Sequence, residues 1–179
     1  MTLQPKQTFR QVFWRDLTGQ SDRWGRTLVL AVVVGRLSFM ALGMSIVLIA
    51  GEGADDNFSG IPDALTEEWI IASLAFAPLI ESLAICFVVW LLGSQKGLGW
   101  PVWATSLACG VLAVPYHGLS LASASVLPLF ALMAAIQHHW MNRGKGWEGF
   151  WLIVAIHLVV NALGLLAMAL LWPEIAPTA

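Results

Sequence analysis

Residues 147–172 read WEGFWLIVAIHLVVNALGLLAMALLW, and from Gly149 onward this run contains no Asp, Glu, Lys or Arg. An unbroken apolar segment of this length constrains a fold more than any other local feature. About 20 apolar residues in a helix cross the hydrocarbon core of a bilayer. In lipid the backbone must satisfy its own hydrogen bonds, which leaves helices or closed barrels. The run is too long and too continuously apolar for a barrel strand, so it predicts a membrane helix. Four more segments qualify or nearly so: 27–50, 69–93, 100–121 and 127–140. The fourth is the shortest, carries Pro128 and ends in the pair His138 and His139. The expected fold is an all-α integral membrane protein, a bundle of about five transmembrane helices with an intramembrane polar cavity.

Composition agrees. The chain is 58% hydrophobic and only 11% charged, whereas soluble domains carry about 25% charged residues. Ten Trp against one Tyr suit a protein with aromatic residues at both interfaces. No basic arm interleaved with aromatics suggests nucleic acid. Cys86 and Cys109 lie inside apolar runs without C-x-x-C spacing, and they read as small packing residues.

The charges set the orientation. Lys6, Arg10, Arg15, Arg23 and Arg26 precede the first span, Lys96 lies between the second and third, and Arg143 and Lys145 lie between the fourth and fifth. The first outer loop, GEGADDNFSGIPDALTEE, has six acids and no base. With five spans these bases fall on one side, the cytoplasmic side by the positive-inside rule. The expectation is a multi-pass protein of a bacterial plasma membrane, with its N-terminus inside. Residues 1–26 form a cytoplasmic segment, 27–172 the membrane domain and 173–179 a short tail. No removable signal peptide is expected. TFRQVFWRDL has near-helical apolar spacing with Arg10 and Arg15 alongside. An interfacial helix and an ordinary polar tail both fit it.

Arg36, Glu81, His117 and His157 sit well inside spans. Ionisable residues there are expensive and carry a functional hypothesis by default. At about 1.5 Å per residue, Arg36 and His157 lie roughly 15 Å from the cytoplasmic end and Glu81 roughly 18 Å. His117 counts out deeper, at roughly 26 Å, if its helix runs straight from Trp100. Asn161 stands four residues after His157 and shares its helix face. Plainer readings stand beside each. Glu81 pairs with Arg36, or Arg36 snorkels to the headgroups. His117 ends a loop, and His157 with Asn161 fastens helices together. His138 and His139 read as interfacial residues.

A carboxylate beside a water and a histidine can deprotonate that water for attack on a carbonyl. A second histidine and a carboxamide are donors suited to the developing oxyanion. The same Glu and two His could instead hold a divalent metal such as zinc. Both versions hydrolyse an amide within the membrane. No serine nucleophile with a base partner stands out, and no Gly-rich phosphate cradle is present.

The order APLIES, VPYHGL, HLVVN, over about 77–165, resembles the CAAX-protease and bacteriocin-processing (CPBP) family of intramembrane proteases. Members carry Glu-Glu-x-x-x-Arg, Phe-x-x-x-His and His-x-x-x-Asn on membrane helices. The resemblance implies Glu81 as base with His117 as its partner, and His157 and Asn161 as oxyanion donors. It implies either no cofactor or a metal held by Glu81, His117 and His157, and a membrane-associated peptide or protein substrate among the membrane lipids. The chain departs from the family at Ser82, where a second Glu is usual, at Cys86, where Arg is usual, and at Ala113, where Phe is usual. Arg36 could supply the lost cation from the first helix, which would put Arg36 and Ser82 around the catalytic set. Two other readings remain open: a degenerate relative that binds or escorts a membrane protein, and a transporter or channel subunit using Glu81 and the histidines as a proton relay.

Overall fold

The computed structural model describes residues 8–20, 23–50, 66–94, 97–117 and 122–171. The expected tail over 173–179 lies outside them, as does most of the acidic loop. Among the described residues all regular structure is helical. Helix α1 spans Phe9–Leu17, α2 Trp24–Ala50, α3 Glu67–Ile71, α4 Ala77–Gly93, α5 Val102–Tyr116, α6 Leu127–Asn142 and α7 Gly146–Leu171.

Three of them begin for a clear local reason. Thr8 starts α1 with a capping box: its hydroxyl accepts from the Gln11 amide, and the Gln11 side chain accepts from the Thr8 amide. Thr66 caps α3 by accepting from the Trp69 amide. Pro128 occupies the first turn of α6, where a missing amide hydrogen costs nothing. Between α3 and α4 the chain does not break. It passes through a π-helical turn, Ala72–Phe76, so that 67–93 is one rod.

Among the described residues three helices are long and apolar enough to cross a membrane: Trp24–Ile46, Glu67–Gly93 and Gly146–Leu171. Their outward faces carry Leu37, Met44, Phe87, Leu166 and Leu170, all exposed. The expected third span is shorter than its apolar run suggests, and the fourth runs two residues beyond its expected end but stays short. α5 stops at Tyr116 with His117 as its cap, and α6 has 16 residues. At 1.5 Å per residue these helices rise only about 22–24 Å.

The least apolar of these helices is the hub. α6 packs against α2, α4, α5 and α7, burying Leu129, Phe130, Met133, Ala134, Ile136, Gln137, His138 and Trp140. Glycines admit that closeness. A Cβ on Gly110 of α5 would lie 2.9 Å from the Leu127 carbonyl, and one on Gly149 of α7 would lie 2.7 Å from the Trp140 Cβ. The N-terminal helix docks on α2 through Leu17 and Asp16. Arg26 approaches the Asp16 carboxylate at 3.5 Å and Arg15 at 3.8 Å, while the Thr27 hydroxyl donates to the Asp16 carbonyl at 2.7 Å.

Candidate functional site

On α4 the buried residues are Pro78, Glu81, Ser82, Ile85, Val89 and Gly93. That three-and-four spacing is one helix face, so Glu81 points inward with the core. On α7, Ile153, Ile156, His157 and Val160 form the matching inward face. α5 turns Thr105, Cys109 and Ala113 inward and ends one turn later at His117.

The three side chains meet. Glu81 Oε2 lies 3.3 Å from His157 Nε2 and 3.5 Å from His117 Nε2. Glu81 and His157 are almost fully buried, at 5% and 3% exposure, whereas the His117 side chain is 30% exposed. Neither nitrogen has hydrogen-bond geometry toward the carboxylate, and Glu81 Oε2 and His157 Nδ1 are left without a hydrogen-bond partner among the described residues. Both imidazoles approach the same oxygen, so the geometry does not separate a base partner from an oxyanion donor. The depth mismatch counted for His117 narrows, because α5 starts at Val102 and reaches the site after about 22 Å.

Phe130 of α6 closes the group from the other side. Its ring stands edge-on to His117, with centroids 5.3 Å apart, and to His157, 5.7 Å apart. The Ser123 hydroxyl donates to the His117 carbonyl at 3.1 Å, which ties the 3₁₀ turn Ala122–Val126 to the end of α5. Beside Glu81 lies a pocket of about 140 Å³ between α4 and α5, lined by Ile80, Ala84, Leu112, Ala113, Tyr116 and Phe130. Its lining is chiefly apolar, in contrast to the polar cavity expected from the sequence.

Asn161 is engaged elsewhere. Its Nδ2 donates to the Ser73 carbonyl at 2.8 Å. The reason lies in α4. In the π turn the Ala77 amide bonds back five residues to Ala72. The next carbonyl in line, that of Ser73, would take the amide of residue 78, which is Pro78 and has none. Asn161 fills that place and joins α7 to the turn that leads into Glu81.

Arg36 does not reach Glu81: no ion pair joins them among the described residues. Its guanidinium lies 5.7 Å from the Phe39 ring centroid and packs beside Gly164 of α7, two turns past His157. Ser82 is fully buried next to Glu81, its hydroxyl without a hydrogen-bond partner among the described residues. Cys86 is partly buried against the core. His138 is buried, with Nε2 3.4 Å from the Trp100 carbonyl and Nδ1 3.1 Å from Asn142 Nδ2. Among the described residues no three His, Cys, Asp or Glu side chains are arranged to hold a metal ion. Glu81 Oε2 lies 3.5 and 3.3 Å from the two imidazole nitrogens without forming such a site.

Sequence reasoning missed Phe130 and the Ser73 carbonyl. Nothing around Phe130 marks it, but Pro78, three residues before Glu81 in a helical run, signals a vacant acceptor. No protein-family model, curated protein or solved structure matches the chain.

Proposed function

We propose that this chain is an intramembrane endopeptidase of the CPBP type, hydrolysing a peptide bond of a membrane-associated peptide or protein with a water activated at Glu81. The observation that carries the reading is the buried Glu81 carboxylate flanked at 3.3 and 3.5 Å by two imidazoles from different helices. Glu81 takes a proton from water as the oxygen attacks the scissile carbonyl, and the histidines donate to the developing oxyanion. The proton held on Glu81 then passes to the leaving amine as the C–N bond breaks. The setting is a five-helix membrane bundle in a bacterial plasma membrane, with the N-terminus cytoplasmic and a small wet space at Glu81. The short α6 packs against all three longer helices, and α5 lies against α6 and α4.

The test is cleavage of a mixture of synthetic transmembrane peptides, with and without an isoprenoid-modified cysteine, by the full chain in lipid nanodiscs. New N-termini are read by mass spectrometry. Wild type should generate them and Glu81→Gln should not. Equal cleavage by the two proteins, or none by wild type, overturns the reading.

A second reading has a specific observation behind it. The Asn161 amide is committed to the Ser73 carbonyl, as expected if the polar set fastens helices in a binding or scaffold protein. On that reading the chain tolerates Glu81→Gln, which keeps a polar side chain between the helices.

A further inference from the structure

Between α1 and the start of α2 runs a groove of about 430 Å³, within the roughly 300–1,000 Å³ of small-molecule sites. Its walls are Phe9, Val12 and Phe13 from one helix and Val29 and Leu30 from the other. Gly25 leaves its floor open, since a Cβ there would meet nothing within 4 Å. One end is polar. Arg26, its side chain 60% exposed, stands there over the buried Asp16.

We propose that this groove binds one anionic phospholipid, with an acyl chain along the aromatic and aliphatic walls and the phosphate at the arginine end. Continuity decides the chain's place. Val29 and Val33 are 61% and 48% exposed on the apolar flank of the first candidate span, so the groove opens where lipid tails run. Charge decides the headgroup. The first 26 residues hold five bases and two acids, and Arg10 is exposed on α1. Asp16 does not repel the phosphate, because Arg15 and Arg26 already lie 3.8 and 3.5 Å from its carboxylate. Phe9 and Trp14, 85% and 52% exposed, put α1 at the depth where aromatic side chains meet headgroups. The groove lies away from the Glu81 site, and the proposal is independent of peptidase activity.

The experiment is native mass spectrometry of the full chain in detergent with added dioleoylphosphatidylglycerol or dioleoylphosphatidylcholine. Wild type should retain one phosphatidylglycerol, preferred by about fivefold for each arginine that reaches the phosphate. Gly25→Phe fills open space and should lower retention several-fold without changing the melting temperature. Should that variant fail to fold, Phe9→Ala, at an exposed position, carries the same expectation. Equal retention of the two lipids, or retention unchanged in the variants, overturns the proposal.

Discussion

Asn161 Nδ2 and the Ser73 carbonyl, 2.8 Å apart, form a hydrogen bond between helices that exists because of a third residue. Pro78 removes the donor that the π turn would otherwise supply. The bond fixes the turn before Glu81 against the helix that carries His157, so a side chain four residues from the imidazole sets the register of the carboxylate facing it.

Asn161→Ala should therefore destabilise the chain by about 1–3 kcal/mol, the cost of leaving a partly buried carbonyl unpaired. Pro78→Ala returns an amide hydrogen beneath the same carbonyl, and in that background Asn161→Ala should cost measurably less. A double-mutant cycle of unfolding free energies reads the coupling directly. Strictly additive effects would show that Pro78 and Asn161 do not share the acceptor.

The two histidines should separate in stability although they approach one oxygen. His157 is 3% exposed and the His117 side chain 30%. His157→Ala opens a cavity in the core and should cost about 2 kcal/mol or more, whereas His117→Ala should stay within about 1 kcal/mol. Thermal unfolding of both variants in one detergent decides this. The reverse order would mean that His117 is the buried partner.

Phe130 touches both rings and lines the pocket beside Glu81. Phe130→Ala should cost about 3–5 kcal/mol and free both imidazoles to turn. Phe130→Leu keeps much of the volume and should cost less. The nuclear magnetic resonance signals of the His117 and His157 rings should broaden or shift in both variants. Unchanged ring signals would mean that Phe130 only fills space.

Asp16 should act as the latch of α1. Asp16→Ala removes the carboxylate that Arg15 and Arg26 approach, while the Thr27 bond survives because it reaches the main chain. Trypsin should then cut after Arg10 and Arg15 several-fold faster than in wild type. Identical digestion rates would show that Leu17 and the Thr27 bond hold the helix without the carboxylate.

Much of this was legible in the sequence, for physical reasons that also mark where legibility stopped. α2, the rod 67–93 and α7 face outward with apolar side chains, so their runs stand out from any polar background. The inward positions of Glu81 and His157 followed from helical period and from the cost of an ionisable group among apolar ones. The end of α5 did not follow, because apolar residues alone do not say where a helix stops. Equal depth suggested that Arg36 pairs with Glu81. Depth carries no information about rotation around an axis, and Arg36 instead packs beside Gly164. The role of Asn161 was hidden because its partner is a backbone carbonyl, an atom that every residue has. Only Pro78 distinguishes the one that is vacant.

The hub position of α6 bears on how such a chain assembles. A segment of 16 residues ending in Gln137, His138, His139 and Asn142 gains little from lipid alone, since it falls short of the roughly 20 apolar residues that a span needs. The long helices can each enter a membrane by their own hydrophobicity. α6 is held by what it touches, by Phe130 against two imidazoles, by Gln137 donating to the Gly146 carbonyl and by close approaches at Gly110 and Gly149. Its place in the bundle therefore depends on those partners, and the Glu81 site is complete only where α6 is packed among them.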